Sequence, residues 1–248
     1  MSEVKPAALL QVEGLSSRRL SRQPDQRQLR ELAFEGVSFS VAAGERVAIL
    51  GQPGAGKTAL LRTVALLQRP ERGRICFEGR DIGRLAGSAL RRLRQRLQYV
   101  GGDPRYLLPL TQTVGKALLE PLQIHALGTP LEQQARIEAA ANLMGVNRLL
   151  LERKASLISP ALRLRVALAR ALTLQPRLLL CDELIERLEG ALARPLLEMV
   201  AHACRALPEP AAWVWTTSDG ELARAFSDRV LYLEAGRLES ARQESAGE

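Results

Sequence analysis

Arg46-Val47-Ala48-Ile49-Leu50-Gly51-Gln52-Pro53-Gly54-Ala55-Gly56-Lys57-Thr58 decides the fold. Its first five residues are a short apolar run of the kind that forms a strand buried on both faces. The next eight fit the pattern G-x-x-x-x-G-K-[ST], set after a strand and at the start of a helix. Glycines let that loop curl until several backbone N–H groups point inward, and the helix N-terminus adds partial positive charge. A lysine at the seventh position reaches the β- and γ-phosphates of a nucleotide, and the hydroxyl that follows ligates magnesium. The candidate phosphate-binding residues are therefore Gly51, Gln52, Pro53, Gly54, Ala55, Gly56, Lys57, Thr58 and Ala59, with ATP and Mg²⁺ as the expected cofactors.

The flanking sequence alternates strand and helix. Residues 9–12 read as a short strand, residues 16–30 as a polar surface loop, and Leu32–Val41 as a half-buried strand. A helix is expected from Thr58 to about Leu67, and residues 113–174 read as mostly helical. Within them Thr129-Pro130-Leu131-Glu132 combines an N-cap, a first-turn proline and a capping-box acid, and Gly145 is placed to end that helix. Strand–helix alternation returns with a strand at 177–182, a helix to about residue 207, strands at Ala212–Thr217 and Arg229–Glu234, and a short helix between those two. This order predicts an α/β fold with a mostly parallel sheet and an inserted helical lobe.

Such a loop needs a carboxylate on a neighbouring buried strand to complete the magnesium shell. Leu178-Leu179-Leu180-Cys181-Asp182-Glu183 supplies one about 125 residues downstream of the loop. Asp182, with Thr58, is expected at the metal, and Glu183 is expected to polarise the attacking water as the catalytic base.

At 248 residues, 46% hydrophobic and 25% charged, the chain has enough apolar material for a full core. The net charge of +8 invites an anionic partner, yet aromatics are 4%, which argues against single-stranded nucleic acid bound by stacking. The densest basic cluster, Arg91-Arg92-Leu93-Arg94-Gln95-Arg96, reads as a solvated helix face. Cys76, Cys181 and Cys204 lie far apart, matching neither a disulfide framework nor a zinc site. With no run long enough for a membrane span and no signal pattern, the cytoplasm is the expected compartment.

Beyond the loop and the acid pair, the chain resembles the ABC-type ATPase family over nearly its whole length. The resemblance is carried by Gly36-Val37-Ser38-Phe39-Ser40-Val41-Ala42-Ala43-Gly44-Glu45, by Val166-Ala167-Leu168-Ala169-Arg170-Ala171-Leu172 with Gln175-Pro176-Arg177, and by Asp228-Arg229-Val230-Leu231 with Ala235-Gly236-Arg237. Asp103-Pro104, Thr113-Val114 and Glu120-Pro121-Leu122 look most like the branch that powers oligopeptide, dipeptide and nickel importers. The resemblance implies a P-loop NTPase of ABC ATPase type, one domain over 1–248. Residues 1–100 and 175–240 would form a core with an antiparallel β portion, and about 103–174 a helical lobe. It also implies transmembrane permease partners, a second ATPase subunit in a heterodimer, and a place on the inner face of the plasma membrane.

Several family positions are altered. The aromatic that stacks on adenine is nearest Arg19, and the glutamine that contacts magnesium and water falls at Gly102. The signature loop, normally Leu-Ser-Gly-Gly-Gln, reads Ile158-Ser159-Pro160-Ala161-Leu162. In the family it caps a partner's γ-phosphate with backbone N–H groups, and Pro160 has none to give. The expected histidine is Ser218, and the dimer-contact loop is Glu186-Arg187-Leu188-Glu189. Neither His125 nor His202, the two histidines present, is placed to substitute. These losses predict impaired hydrolysis beside a more competent ATPase, in a peptide-type importer. The alternative is a soluble nucleotide-binding accessory protein of phosphonate breakdown or DNA handling, and the lack of a sustained heptad run weakens the DNA version. Arg105-Tyr106-Leu107-Leu108-Pro109-Leu110, following Asp103-Pro104, is either an exposed apolar docking patch or a set of leucines tucked into the helical lobe.

Overall fold

A computed structural model describes residues 8–18, 32–101, 107–186, 188 and 190–239. In chain order its elements are strands β1 (Leu10–Arg18), β2 (Leu32–Val41) and β3 (Arg46–Leu50), helix α1 (Lys57–Val64), strands β4 (Arg72–Phe77) and β5 (Arg80–Asp81), helix α2 (Gly87–Arg96) and strand β6 (Leu97–Gly101). Helices α3 (Val114–Ile124), α4 (Pro130–Leu143) and α5 (Pro160–Leu172) follow. Then come β7 (Leu178–Asp182), α6 (Gly190–Ala206), β8 (Ala212–Thr217), α7 (Gly220–Phe226), β9 (Arg229–Glu234) and β10 (Arg237–Glu239). Among these residues no helix is long and apolar enough to cross a membrane.

Two sheets result. One has four strands in the order β2-β1-β4-β5, all antiparallel; the other has six in the order β10-β9-β3-β8-β7-β6, parallel except for β10. Side chains alternate across the six-stranded sheet with the two-residue period of a strand. Val47, Ile49, Leu178, Leu180, Ala212 and Val214 face α1 and the antiparallel sheet, in one apolar cluster. Ala48, Leu179, Cys181, Trp213 and Trp215 face the other way, into a cluster filled mainly by α3, α4, α5 and α6. Trp213 and Trp215, two residues apart on one face, stack with ring centroids 5.3 Å apart. This is the expected α/β fold with its antiparallel portion and helices.

The caps of α4 follow the sequence. The Thr129 N–H donates to Glu132 Oε2 (2.7 Å) and the Glu132 N–H to Thr129 Oγ1 (3.4 Å). Thr129 holds the Glu132 carboxyl below the usual carboxylate range through its backbone N–H and then its hydroxyl. Gly145 ends the helix at φ +55, the left-handed conformation that glycine adopts without a Cβ penalty, and the Val146 N–H returns to the Ala141 carbonyl.

Two expectations need correction, and one open choice is narrowed. Residues 16–18 are strand rather than surface loop, because β1 continues through register shifts to Arg18. Ser16 and Ser17 are buried and satisfied: Ser16 Oγ accepts from the Gly36 N–H, and Gln68 Nε2 donates to Ser17 Oγ. Helix α1 stops at Val64, three residues short of Leu67, where Leu66 takes φ 53 and the Leu67 and Gln68 N–H groups both turn back to the Arg62 carbonyl. Of the two readings of the stretch ending in Leu110, Leu108 follows the buried one, at 3% exposed in the helical-side core, whereas Leu107 is half-buried and Leu110 is 37% exposed. Arg19, residues 20–30 and 102–106 (with Gly102, Arg105 and Tyr106), Arg187 and Glu189 lie outside the described residues.

Candidate functional site

The carboxyl ends of β3, β8, β7 and β6 lie side by side, so Leu50, Thr217, Asp182 and Gly101 come together along one edge of the sheet. Ligands of open α/β sheets bind at this edge. The chain leaves β3 through Gly51, whose N–H donates to the Thr217 carbonyl (3.1 Å). A Cβ at Gly51 would lie 2.4 Å from the Leu233 carbonyl oxygen, and one at Gly56 2.3 Å from that of Ala33. Glycine is therefore demanded at both ends of the loop by close backbone approach, and at Gly56 also by φ +104. Gln52, Pro53 and Gly54 form the exposed crest of the loop, and Ala55 sits beneath it with its N–H on the Gln52 carbonyl.

Lys57 opens α1 and is 2% exposed. Its Nζ donates to the carbonyls of Gly51 (2.7 Å) and Gln52 (3.3 Å) and stands 3.5 Å from Glu183 Oε1. Buried charge is costly unless paired and hydrogen-bonded, and these carbonyls and the carboxylate meet that need. A cavity of about 240 Å³ opens beside the loop, lined by Gly54, Gly56, Lys57, Thr58, Ala59 and Glu183 among others. The residues expected to hold phosphate thus run without a break from the loop into the first turn of α1.

Asp182 ends β7 and is 1% exposed. Three hydroxyls converge on its carboxylate: Thr58 Oγ1 at 3.2 Å and Thr216 Oγ1 at 3.0 Å from Oδ1, and Tyr99 Oη at 2.8 Å from Oδ2. The Thr58 hydroxyl and the Asp182 carboxylate are thereby adjacent, a hard-oxygen pair suited to magnesium, which takes its remaining ligands from water and phosphate oxygens. Among the described residues no three His, Cys, Asp or Glu side chains group as a metal cage. None is needed for an ion held this way. Glu183 takes φ 49, and its N–H donates to Thr216 Oγ1 (2.9 Å).

Tyr99, Thr216 and Gly101 were not singled out in the sequence. The only hint was a polar pair, Thr216-Thr217, closing an otherwise apolar strand. Burial pushes the Tyr99 hydroxyl well above its ordinary range, with the Asp182 charge adding to the effect.

Of the other family positions, Ser218 follows Thr217 at this edge, while the signature stretch opens α5. Ser159 caps α5, its Oγ accepting from the Leu162 N–H (3.3 Å), with Pro160 as first helical residue. The Ser218 N–H donates to Glu186 Oε1 (3.2 Å). His125 follows the last turn of α3 and His202 lies within α6. A second cavity, about 420 Å³, lies between β6, α3 and α5, with Arg94, Gln98, His125 and Arg170 on its walls. Burial lowers the His125 pKa from its ordinary value, and nearby Arg91 lowers it further.

Known proteins are similar to this chain in sequence and in fold. A putative peptide import ATP-binding protein of Brucella ovis is 31% identical over 224 residues, covering 90% of this chain and 70% of that protein. The oligopeptide transport ATP-binding protein AppF of Bacillus subtilis is 30% identical, covering 83% and 62%. The methionine import ATP-binding protein MetN of Mesorhizobium japonicum is 35% identical, covering 83% and 55%. A dimeric, post-hydrolysis ATP-binding cassette solved with ADP and phosphate has the same fold, with a TM-score of 0.80, 21% identity, and 93% and 97% of the two chains covered. The ABC transporter family model matches residues 34–186. By that match and these relatives, the chain belongs to the ABC transporter family.

Proposed function

We propose that this chain is the ATP-binding subunit of a peptide-type importer, and that it binds Mg-ATP while hydrolysing it poorly. The observation that carries this reading is the Thr58 hydroxyl 3.2 Å from the buried Asp182 carboxylate, at the head of a turn whose end glycines cannot be replaced without a clash. In it, Gly51, Gln52, Pro53, Gly54, Ala55, Gly56, Lys57, Thr58 and Ala59 hold the phosphates. Thr58 and Asp182 would hold magnesium, whose charge would offset that of the phosphates. Glu183 is the base that orients water.

Weak hydrolysis follows from the altered family positions. Pro160 has no N–H to give a phosphate, and the Ser159 Oγ accepts the Leu162 N–H as the helix cap. Ser218 offers a short hydroxyl where the family resemblance calls for an imidazole. The chain would then act beside a more active ATPase subunit and transmembrane permease subunits, on the cytoplasmic face of the membrane. The cavity between β6, α3 and α5 is the better candidate for the permease contact, now that Leu108 is buried.

Thermal melting tests the binding claim. A ligand at about 100 times its dissociation constant stabilises a fold by about 2.7 kcal/mol, roughly 5–10 °C for a chain of this size. Mg-ATP should produce that shift and Lys57→Ala should abolish it. No shift in the unmodified protein at millimolar Mg-ATP would end the reading.

A further inference from the structure

The carboxylate at the end of β7 is held by a residue that neither the loop nor the acid pair accounts for. Strands β6 and β7 run parallel with Tyr99 opposite Leu180 and Gly101 opposite Asp182. Side chains two apart share a face, so Tyr99 and Gly101 lie on the face that carries Leu178, Leu180 and Asp182. A Cβ at Gly101 would stand 2.5 Å from Asp182 Cβ and 2.9 Å from its carbonyl oxygen. The missing side chain is what lets β6 close against Asp182, and into that approach the Tyr99 ring brings its hydroxyl, 2.8 Å from Oδ2. Thr58 and Thr216 both address the other oxygen, Oδ1. The plane of the carboxylate is therefore pinned from both ends, and among the hydrogen bonds recorded for the described residues Tyr99 alone pins Oδ2. The Thr216 hydroxyl in turn accepts the Glu183 N–H, so the same carboxylate anchors the backbone of the residue beside it.

We propose that Tyr99 is a positioning residue for the magnesium site: its hydroxyl orients the Asp182 carboxylate so that Oδ1, next to Thr58, faces the ion. The proposal rests on the reading that Thr58 and Asp182 hold magnesium. Partners one step behind a metal ligand commonly change metal affinity by about 10- to 100-fold when removed. A residue that merely packs would change nucleotide and metal binding together, or neither. Tyr99 does not itself line the phosphate cavity, so its effect should fall chiefly on the metal.

Mn²⁺, a paramagnetic stand-in for Mg²⁺, is titrated into the protein with saturating ATP and followed by electron paramagnetic resonance; ATP binding in EDTA is measured separately by calorimetry. The unmodified chain should bind one Mn²⁺ tightly with ATP, and Asp182→Asn should lose it. Tyr99→Phe should weaken Mn²⁺ about 10-fold or more while metal-free ATP affinity stays within about twofold. Tyr99→Gln, which restores a donor, should recover part of the loss. If Tyr99→Phe fails to fold, a Tyr99→Gln protein that folds and binds Mn²⁺ near the unmodified level sustains the proposal, and one as weak as Asp182→Asn overturns it. Unchanged Mn²⁺ affinity in a folded Tyr99→Phe, or parallel loss of metal-free ATP binding, overturns it as well. Failure of the unmodified chain to bind Mn²⁺ with ATP would instead remove the magnesium reading on which it stands.

Discussion

The phosphate loop and the signature stretch both open a helix, and they use the helix start in opposite ways. At α1 the N-cap is Gly56, in the left-handed region, and no side chain caps it. The first-turn N–H groups and the partial positive charge are left to face an anion. At α5 the Ser159 hydroxyl takes the Leu162 N–H and Pro160 brings no N–H at all. That start is a well-made structural cap of the kind that commonly stabilises a helix by about 1 kcal/mol. The same helix-end chemistry serves a ligand in one place and only the fold in the other. It explains how one chain can bind nucleotide well and still be a poor partner for a second phosphate site.

The largest effect should come from returning the second start to the first. Pro160→Gly with Ala161→Gly restores an N–H and removes a Cβ. Paired with an ATPase subunit whose own phosphate site is complete, the double variant should raise phosphate release by roughly 100-fold, the usual worth of an oriented backbone-type donor at developing negative charge. Equal rates from the double variant and the unmodified chain would mean that the signature stretch is not what limits hydrolysis.

An effect of comparable size and opposite sign should follow from spoiling the first start. Gly56→Ala places a Cβ 2.3 Å from the Ala33 carbonyl oxygen and forces a non-glycine residue to φ near +104. The loop must shift, and the Mg-ATP melting shift, about 2.7 kcal/mol at 100-fold saturation, should vanish. Pro160→Gly alone should move the unliganded melting point by no more than a few degrees, since it mainly loosens the unfolded chain by under about 1 kcal/mol. If Gly56→Ala keeps its ATP shift, the contrast between a tightly built loop and a tolerant one is wrong.

What was legible in the sequence was local. The β3–loop–α1 unit, the apolar run of β7 ending in Asp182 and the Thr129/Glu132 cap each occupy a few consecutive residues, and pattern or spacing exposes them. The hydroxyls around Asp182 were not legible: Tyr99 lies 83 residues from it and Thr216 34, and only strand order brings them together. Residues 16–18 misled because serines read as loop, whereas β1 goes on pairing with β2 and the two hydroxyls find partners in Gly36 and Gln68. The antiparallel strand Arg72–Phe77 went unread, since two arginines and a glycine hide its apolar end, Ile75 to Phe77. Leu108 stayed open between two readings, because proximity to prolines marks a loop but says nothing of which way a side chain faces.

The smallest effect separates the two ends of β3 itself. Its loop end faces the buried Asp182; its other end is tied to Asp228, which begins the turn into β9. Arg46 donates from its backbone N–H (2.9 Å) and Nε (3.2 Å) to Asp228 Oδ2, and from Nη2 (2.6 Å) to Oδ1. The side-chain hydrogen bond from Arg46 holds the Asp228 carboxyl below its ordinary range, despite some desolvation in the other direction. A depressed folded-state pKa means that the ionised form favours folding. The gain is present above the unfolded carboxyl pKa of about 3.9 and is lost as pH falls through the lower folded value. Both side chains are substantially exposed, at 27% and 46%, so water and salt screen the pair to under about 1 kcal/mol. Urea melts should therefore find Asp228→Asn slightly less stable at pH 7, with the gap narrowing below about pH 4 and in high salt. The Mg-ATP shift should be untouched, because the substitution lies at the end of the strand away from the loop. A gap independent of pH would show that the carboxylate's shape, rather than its charge, does the tying.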